Sequence, residues 1–340
     1  MNTIPKPRRI VFFRTDHIGD LVLTIPAVAR LAAALPGARI AAVVSEGNRE
    51  VALGQPWLDE VVVYRPEQGI AALVRQLLDG RYDAAILFYP RFKLALAARL
   101  AGIPVRVGTA YRWYSRLFTH RIRVHRRRNR WHEADLNAEM LSAFGLGGGP
   151  DGEGPAAPAI PDSARLEIET TWREQGIPSR YSVVHTGGMG SALNAGTEYY
   201  GAIVREMEEG FAPVVLTGTP VEGDRLAVVA AAGGLAPSRI VMPRGLRELE
   251  AVLAGAAGVV GPSTGPLHLA AALGVPTVSL FSPIDSQQPR RWRPLGGRAT
   301  VLTPHPSLCA TCVGAKCPLF NCVERTPPGA VIARLRELAG

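Results

Sequence analysis

Cysteine is scarce in this chain, and its placement excludes a disulfide framework spread over the fold. Its four cysteines, Cys309, Cys312, Cys317 and Cys322, all lie between 309 and 322. No apolar run reaches the ~18 residues that a membrane-crossing helix needs. The opening MNTIPKPRRIVFFR is basic but runs directly into a strand-like pattern. It has no apolar core or cleavage site of a signal peptide, so the chain is expected to stay in the cytoplasm. Acidic residues are in deficit, 29 against 38 lysines and arginines, for a net charge of +9. That excess calls for an anionic partner: nucleic acid, a phosphorylated lipid or a membrane surface.

The 340 residues exceed one ordinary hydrophobic core and suit two domains. Short apolar runs alternate with amphipathic segments. Strands are expected at 10–13, 40–44, 61–64 and 84–88, with helices at 20–35, 69–79 and 91–101. This βαβα rhythm predicts a parallel sheet covered on both faces. The stretch GLGGGPDGEGPAAPAIPD at 145–162 reads as a linker. The rhythm restarts with strands near 181–185, 214–217, 240–242, 258–260 and 276–281, and helices at 197–210, 221–232, 246–256 and 264–273. The expected architecture is α/β: a Rossmann-like domain over 1–150, a second over 162–325, and a last helix in 326–340 that could pack back on the first domain. Two doubly wound sheets facing a central cleft would bind ligands at the carboxyl ends of their strands.

Three turns fall at such ends. In Arg14-Thr15-Asp16-His17-Ile18-Gly19-Asp20, Gly19 suits a tight turn with close backbone approach, so Asp16, His17 and Gly19 are placed to touch an acceptor. Asp20 could serve as a general base, and helix capping is the plainer reading of either aspartate. In the second, Thr186, Gly187, Gly188 and Ser191 could wrap a pyrophosphate in backbone N–H groups, although neither common phosphate-loop spacing is matched. An ordinary glycine-rich loop is the alternative. In the third, Ser263 or Thr264 would cap a helix opening on Gly265 and Pro266, with His268 one turn in. Its free amides and dipole suit a diphosphate.

RTDHIGDLVLTIPAVARLAAALPGARI resembles the opening of glycosyltransferase family 9, the ADP-heptose:lipopolysaccharide heptosyltransferases. HTGGMGSALNAGTEYY and GPSTGPLHLAAALGVPTVSLFSP resemble its donor-side motifs, and CATCVGAKCPLFNC is similar to a cysteine-bearing tail of many members. The resemblance implies a GT-B fold and an inverting transfer of a sugar, heptose above all, from a nucleotide-sugar donor to a lipopolysaccharide core or related glycan, with no divalent metal. It makes Asp20 the base and Thr264, Gly265 and His268 the diphosphate contacts. The chain departs at Leu193, where the family usually has lysine, at Ala195-Gly196 in place of Trp-Pro, and at Ser263 in place of aspartate. A sugar-nucleotide epimerase of the same architecture, or a nucleotide- or lipid-binding relative without chemistry, are the alternatives.

Two further features remain. Between Arg112 and Arg130 eight arginines interleave with aromatic residues. No nucleic-acid motif accompanies them. Arg126, Arg127 and Arg128 are therefore read as contacts for an anionic, lipid-linked glycan acceptor and for the inner face of the inner membrane, with a solvated basic face as the alternative. Cys309, Cys312, Cys317 and Cys322 could hold a structural zinc ion, although the spacing is not that of a zinc ribbon; free thiols are the alternative.

Overall fold

The apolar runs at the middle of each sheet become strands buried on both faces, as parallel sheets require. The computed structural model describes residues 6–148, 168, 170, 172, 176–188, 190, 192–304, 312, 314, 317 and 321–340. The chain divides into two units, Met1–Ala159 and Ile160–Gly340. Most of the expected linker lies outside the described residues.

The first unit runs β1 (Arg9–Arg14), α1 (Ile18–Val22), α2 (Ile25–Ala34), β2 (Arg39–Val44), α3 (Arg49–Leu53), β3 (Glu60–Val63), α4 (Gly69–Gly80), β4 (Ala84–Leu87), α5 (Phe92–Leu100), β5 (Val105–Thr109), β6 (His120–Ile122) and α6 (Glu133–Glu139). Its strands lie in the order β3-β2-β1-β4-β5-β6, every pairing parallel. Phe12 sits between Ala42 and Ile86, and Ile10 to Phe13 are all buried. The single helix expected over 20–35 is two. Pro26 lacks an amide and would crowd the carbonyl one turn back, so the first helix closes at Val22 and a second opens at Ile25.

The second unit runs β7 (Ser182–His185), α7 (Thr197–Gly210), β8 (Val214–Thr217), α8 (Gly223–Gly233), β9 (Ile240–Val241), α9 (Leu246–Ala254), β10 (Val259–Pro262), α10 (Gly265–Ala272), β11 (Thr277–Leu280), α11 (Pro289–Trp292), β12 (Ala299–Leu302) and α12 (Pro328–Ala339). The order β12-β11-β10-β7-β8-β9 repeats that of the first unit, again all parallel. In each unit the chain winds outward from the central strand, then returns to its other side. The switch points therefore lie beside the exits of β1 and β7, where doubly wound sheets take their ligands.

The last helix packs within its own unit. Val331, Ile332 and Leu335 of α12 join Ile203, Val204 and Met207 of α7 in the core of the second unit. Arg336 donates to the Gly210 carbonyl at 2.8 Å, a cation at the carboxyl end of α7.

Candidate functional site

The turn after β1 carries a buried ion cluster. Arg14, the last residue of the strand, has 2% of its side chain exposed. Its Nε lies 3.0 Å from Asp16, and its Nη2 lies 2.6 Å from Asp20 and 3.4 Å from Glu133. Its Nη1 faces the Asn137 amide oxygen at 3.4 Å. Burial alone opposes the guanidinium charge, but the three carboxylates hold its pKa above the ordinary value. Burial pushes the Asp16 carboxyl up to about 7 against the pull of Arg14, and Asp20 adds to the rise. Asp20 keeps 15% of its side chain exposed, and among the described residues no hydrogen bond reaches its Oδ2.

The turn is pinned on each side. Asn48 donates to the Asp16 carbonyl at 3.0 Å, and the Thr24 hydroxyl donates to that of Asp20 at 2.8 Å. Asn137 donates to the Leu23 carbonyl and to Thr24 Oγ1, both at 3.1 Å, which fixes the break between α1 and α2. No side chain caps α1, whose N-cap is the exposed His17, so neither aspartate plays that part. Gly19 is buried against the turn.

The basic stretch divides. Arg127 and Arg128 are exposed, whereas Arg126 is half-buried. Its Nε donates to buried Glu133 at 2.9 Å and its Nη2 to Asn137 at 2.9 Å. Arg126 thus belongs to the cluster beneath Asp20 as well as to the surface run. Asn129, at φ 45°, closes that turn in the left-handed region asparagine tolerates.

In the second unit β7 and β10 pair directly, Val183 beside Val259 and Val184 beside Val260, so the loops leaving them are neighbours. A Cβ on Gly188 would lie 3.5 Å from Thr264 Cγ2. Thr186 is fully buried, its carbonyl accepting from Asn194 Nδ2 at 2.8 Å and Arg225 Nε at 3.3 Å. Its hydroxyl has no hydrogen-bond partner among the described residues. The Gly188 amide, expected on a pyrophosphate, instead donates to Glu222 Oε1 at 3.0 Å. A Cβ on Gly187 would meet that carboxylate at 2.5 Å, so glycine is what lets it approach. Thr219 adds its N–H at 2.8 Å and its hydroxyl at 2.9 Å. Burial raises the Glu222 carboxyl, but these bonds outweigh it and hold it below the usual range. His185, buried beside it, is pushed down to about 4 by burial.

Thr264, with extended backbone, is the N-cap of α10, and its side chain makes no cap bond. Ser263, Thr264, Gly265 and Pro266 are half-buried, whereas His268 is buried. The helix start is thus uncapped by its own side chain and suited to an anion. Leu193 turns onto the apolar core, and its amide donates to Gln287 at 2.9 Å. Ser191 lies outside the described residues.

Cys309 is also outside them. Cys312 is exposed, and Cys317 and Cys322 are half-buried. Among the described residues no group of three or more histidine, cysteine or acidic side chains could hold a metal ion. The four-cysteine zinc reading thus falls on residues the structure does not describe in full. No described helix is long and apolar enough to cross a membrane.

Arg14, Glu133, Asn137, Glu222 and Arg225 were not among the expected site residues. Arg14 had a signal, a charge ending an otherwise apolar strand. Glu133 and Asn137 had none, because α6 was not anticipated.

Two doubly wound parallel units, one with a carboxylate at its switch point and the other with an open helix start, have the architecture of GT-B glycosyltransferases. The model of glycosyltransferase family 9 (heptosyltransferase) matches residues 70–322, and the chain belongs to that family. It is 28% identical over 331 residues to lipopolysaccharide heptosyltransferase 1 of Pseudomonas aeruginosa, spanning 91% of this chain and 87% of that one. The structure resembles that of a Veillonella parvula glycosyl transferase family 9 protein, with TM-score 0.83, 20% identity and 100% and 99% of the two chains covered. It also resembles the Escherichia coli heptosyltransferase WaaC with ADP, with TM-score 0.74, 20% identity and 97% and 99% covered.

Proposed function

We propose that the protein moves a heptose, with inversion and without a metal ion, from an ADP-heptose-type donor to the phosphorylated core of a lipopolysaccharide. The observation that carries the reading is the Arg14–Asp20 pair. One oxygen of Asp20 is fixed at 2.6 Å by a buried guanidinium, while the other accepts no bond among the described residues. In this reading Asp20 takes the proton of an acceptor hydroxyl as that oxygen bonds to the anomeric carbon. The bond from that carbon to the diphosphate breaks, and the amides opening α10 hold the departing charge. The relatives' names and the ADP beside one of them support the donor class.

Exposed Arg127 and Arg128 suit an acidic acceptor and an anionic inner leaflet, at roughly 1 kcal/mol per basic residue near the surface. The cysteine segment is proposed as structural only, with zinc content to be read by elemental analysis. The test is incubation with ADP-heptose and a heptose-deficient core acceptor in EDTA. Heptosylated product with released ADP is the expected result. Binding of donor without transfer, or transfer only after a metal is restored, would overturn the reading.

A further inference from the structure

Every strand of the first sheet ends at the same edge, so the loops beyond β4 and β5 share it with Asp20. At ~4.8 Å between neighbouring strands, those exits stand about 5 and 10 Å from that of β1. They carry a set of aromatic side chains that the core does not use. Trp113 is 76% exposed, Tyr111 44% and Phe92 39%. The Phe92 and Trp113 rings stack at 4.8 Å, and buried Tyr114 meets Trp113 edge-on at 5.3 Å.

This ledge is held rigidly. The Tyr114 hydroxyl donates to the Pro90 carbonyl and ties the β5 loop to the β4 loop. The buried Ser115 hydroxyl donates to the Thr109 carbonyl at 2.7 Å and accepts from the Arg112 amide at 3.0 Å. Tyr111 lies over His125 at 3.8 Å between ring centroids and is hydrogen-bonded to it. Arg91, Arg112 and Arg116, near these rings in sequence, are exposed, and Arg91 lies over the Tyr89 ring.

We propose that the Phe92–Trp113 ledge, with Tyr111 and Arg112 beside it, binds a sugar ring of an acidic glycan at the edge that carries Asp20. The proposal rests on the acceptor reading given above for the first unit. An exposed tryptophan is ordinary when it stands alone. This one is braced by two rings, with its remaining surface open to solvent. Sugar rings present C–H faces that lie flat on aromatic rings and keep their hydroxyls at the rim. Guanidinium groups around such a platform bind the carboxylates or phosphates of an acidic sugar through paired N–H bonds. A rigid ring loses little conformational freedom on binding. The position on the reacting edge favours the substrate over a bilayer, which an anchor could meet anywhere on the surface.

The experiment uses full-length protein with the Trp113→Ala, Phe92→Ala and Trp113→Phe variants, all at exposed positions. Titration with lipid-free, phosphorylated core oligosaccharide gives its Kd, and titration with ADP serves as control. Trp113→Ala is expected to weaken oligosaccharide binding and to raise the acceptor KM, each roughly tenfold, with ADP affinity unchanged. Phe92→Ala should do the same to a lesser degree, and Trp113→Phe should restore most of the loss. An oligosaccharide Kd unmoved in Trp113→Ala would overturn the proposal. So would Trp113-dependent binding only to glycan-free phosphatidylglycerol vesicles or to single-stranded DNA. If no heptose is ever transferred while oligosaccharide binding still depends on Trp113, the proposed reaction fails and the ledge stands. If Asp20→Asn abolishes transfer while Trp113→Ala leaves acceptor KM unchanged, the ledge fails and the reaction stands.

Discussion

Arg14 and Asp20 meet at 2.6 Å across a single turn of chain, the arginine closed off from water and the aspartate partly open to it. The pair places a buried charge beside a carboxylate that stays partly open to solvent. Asp16 shares the same guanidinium but lies deeper, 8% exposed against 15%. The two aspartates of the turn are therefore not equivalent, and variants should separate them.

Asp20→Asn should fold normally, because the amide oxygen still accepts from Arg14, while transfer falls by at least ~10²-fold, the low end for a positioned base. Asp16→Asn should retain most of the turnover. Steady-state transfer and ADP affinity measured on both variants check this. A large loss in Asp16→Asn with near-normal Asp20→Asn would move the base to Asp16.

Removing the guanidinium is a different injury. Arg14→Met leaves Asp16, Asp20 and Glu133 close together without their shared cation, and should cost about 3–5 kcal/mol of stability. Glu133→Gln keeps hydrogen bonding to Arg14 and Arg126 and should cost much less. Denaturant unfolding of the two variants ranks them, and an equal cost would contradict the clustered-charge account.

The pH dependence of stability should differ in sign between the units. Asp16 has its folded-state pKa raised from 3.8 to about 7, so the folded state binds the extra proton between those values. Its contribution is full below about 3.8 and is lost as pH rises to about 7. His185 in the second unit is lowered from 6.5 to about 4, so its contribution is present above 6.5 and is lost as pH falls through about 4. Between roughly pH 4 and 6.5 the two slopes oppose each other. Asp16→Asn should leave a curve that rises with pH there, and His185→Gln one that falls. Melting curves across that range, followed separately if the units unfold separately, measure both.

Gly187→Ala should force the Glu222 carboxylate away from the position it holds 2.5 Å from the added Cβ. The obstacle is the end of a side chain, so the unit still folds. Loss of the bonds from Glu222 to Thr219 and Gly188 should cost about 1 kcal/mol, the size of a helix cap. Ala at 188 meets only ordinary contacts, 3.5 Å to Thr264, and should cost less. Thermal midpoints of the two variants test the ranking.

The strands with dense Val, Ile and Phe were legible in the sequence, and so were the loops at both switch points, because glycine, hydroxyl and acidic residues directly follow apolar runs there. Strands β5, β6 and β12 were not read. HRI and VRVGT carry arginine within short runs, and their burial is decided by neighbours rather than by local pattern. The cluster beneath Asp20 was invisible for a related reason. Arg14 and Glu133 are separated by 119 positions, and nothing local to either announces the other. Arg126 looked like one more surface charge because a run of arginines does not say which member turns inward.

The repeated strand order gives the two halves of the chain the same address for chemistry, beside the exit of the central strand. Each unit closes its own sheet and its own core. On the reading proposed above, changes that retune donor choice can accumulate in the second unit without revising the one that carries Asp20. On that same reading, exchange of residues 160–340 with the corresponding half of a relative should change donor preference and leave acceptor preference as it was.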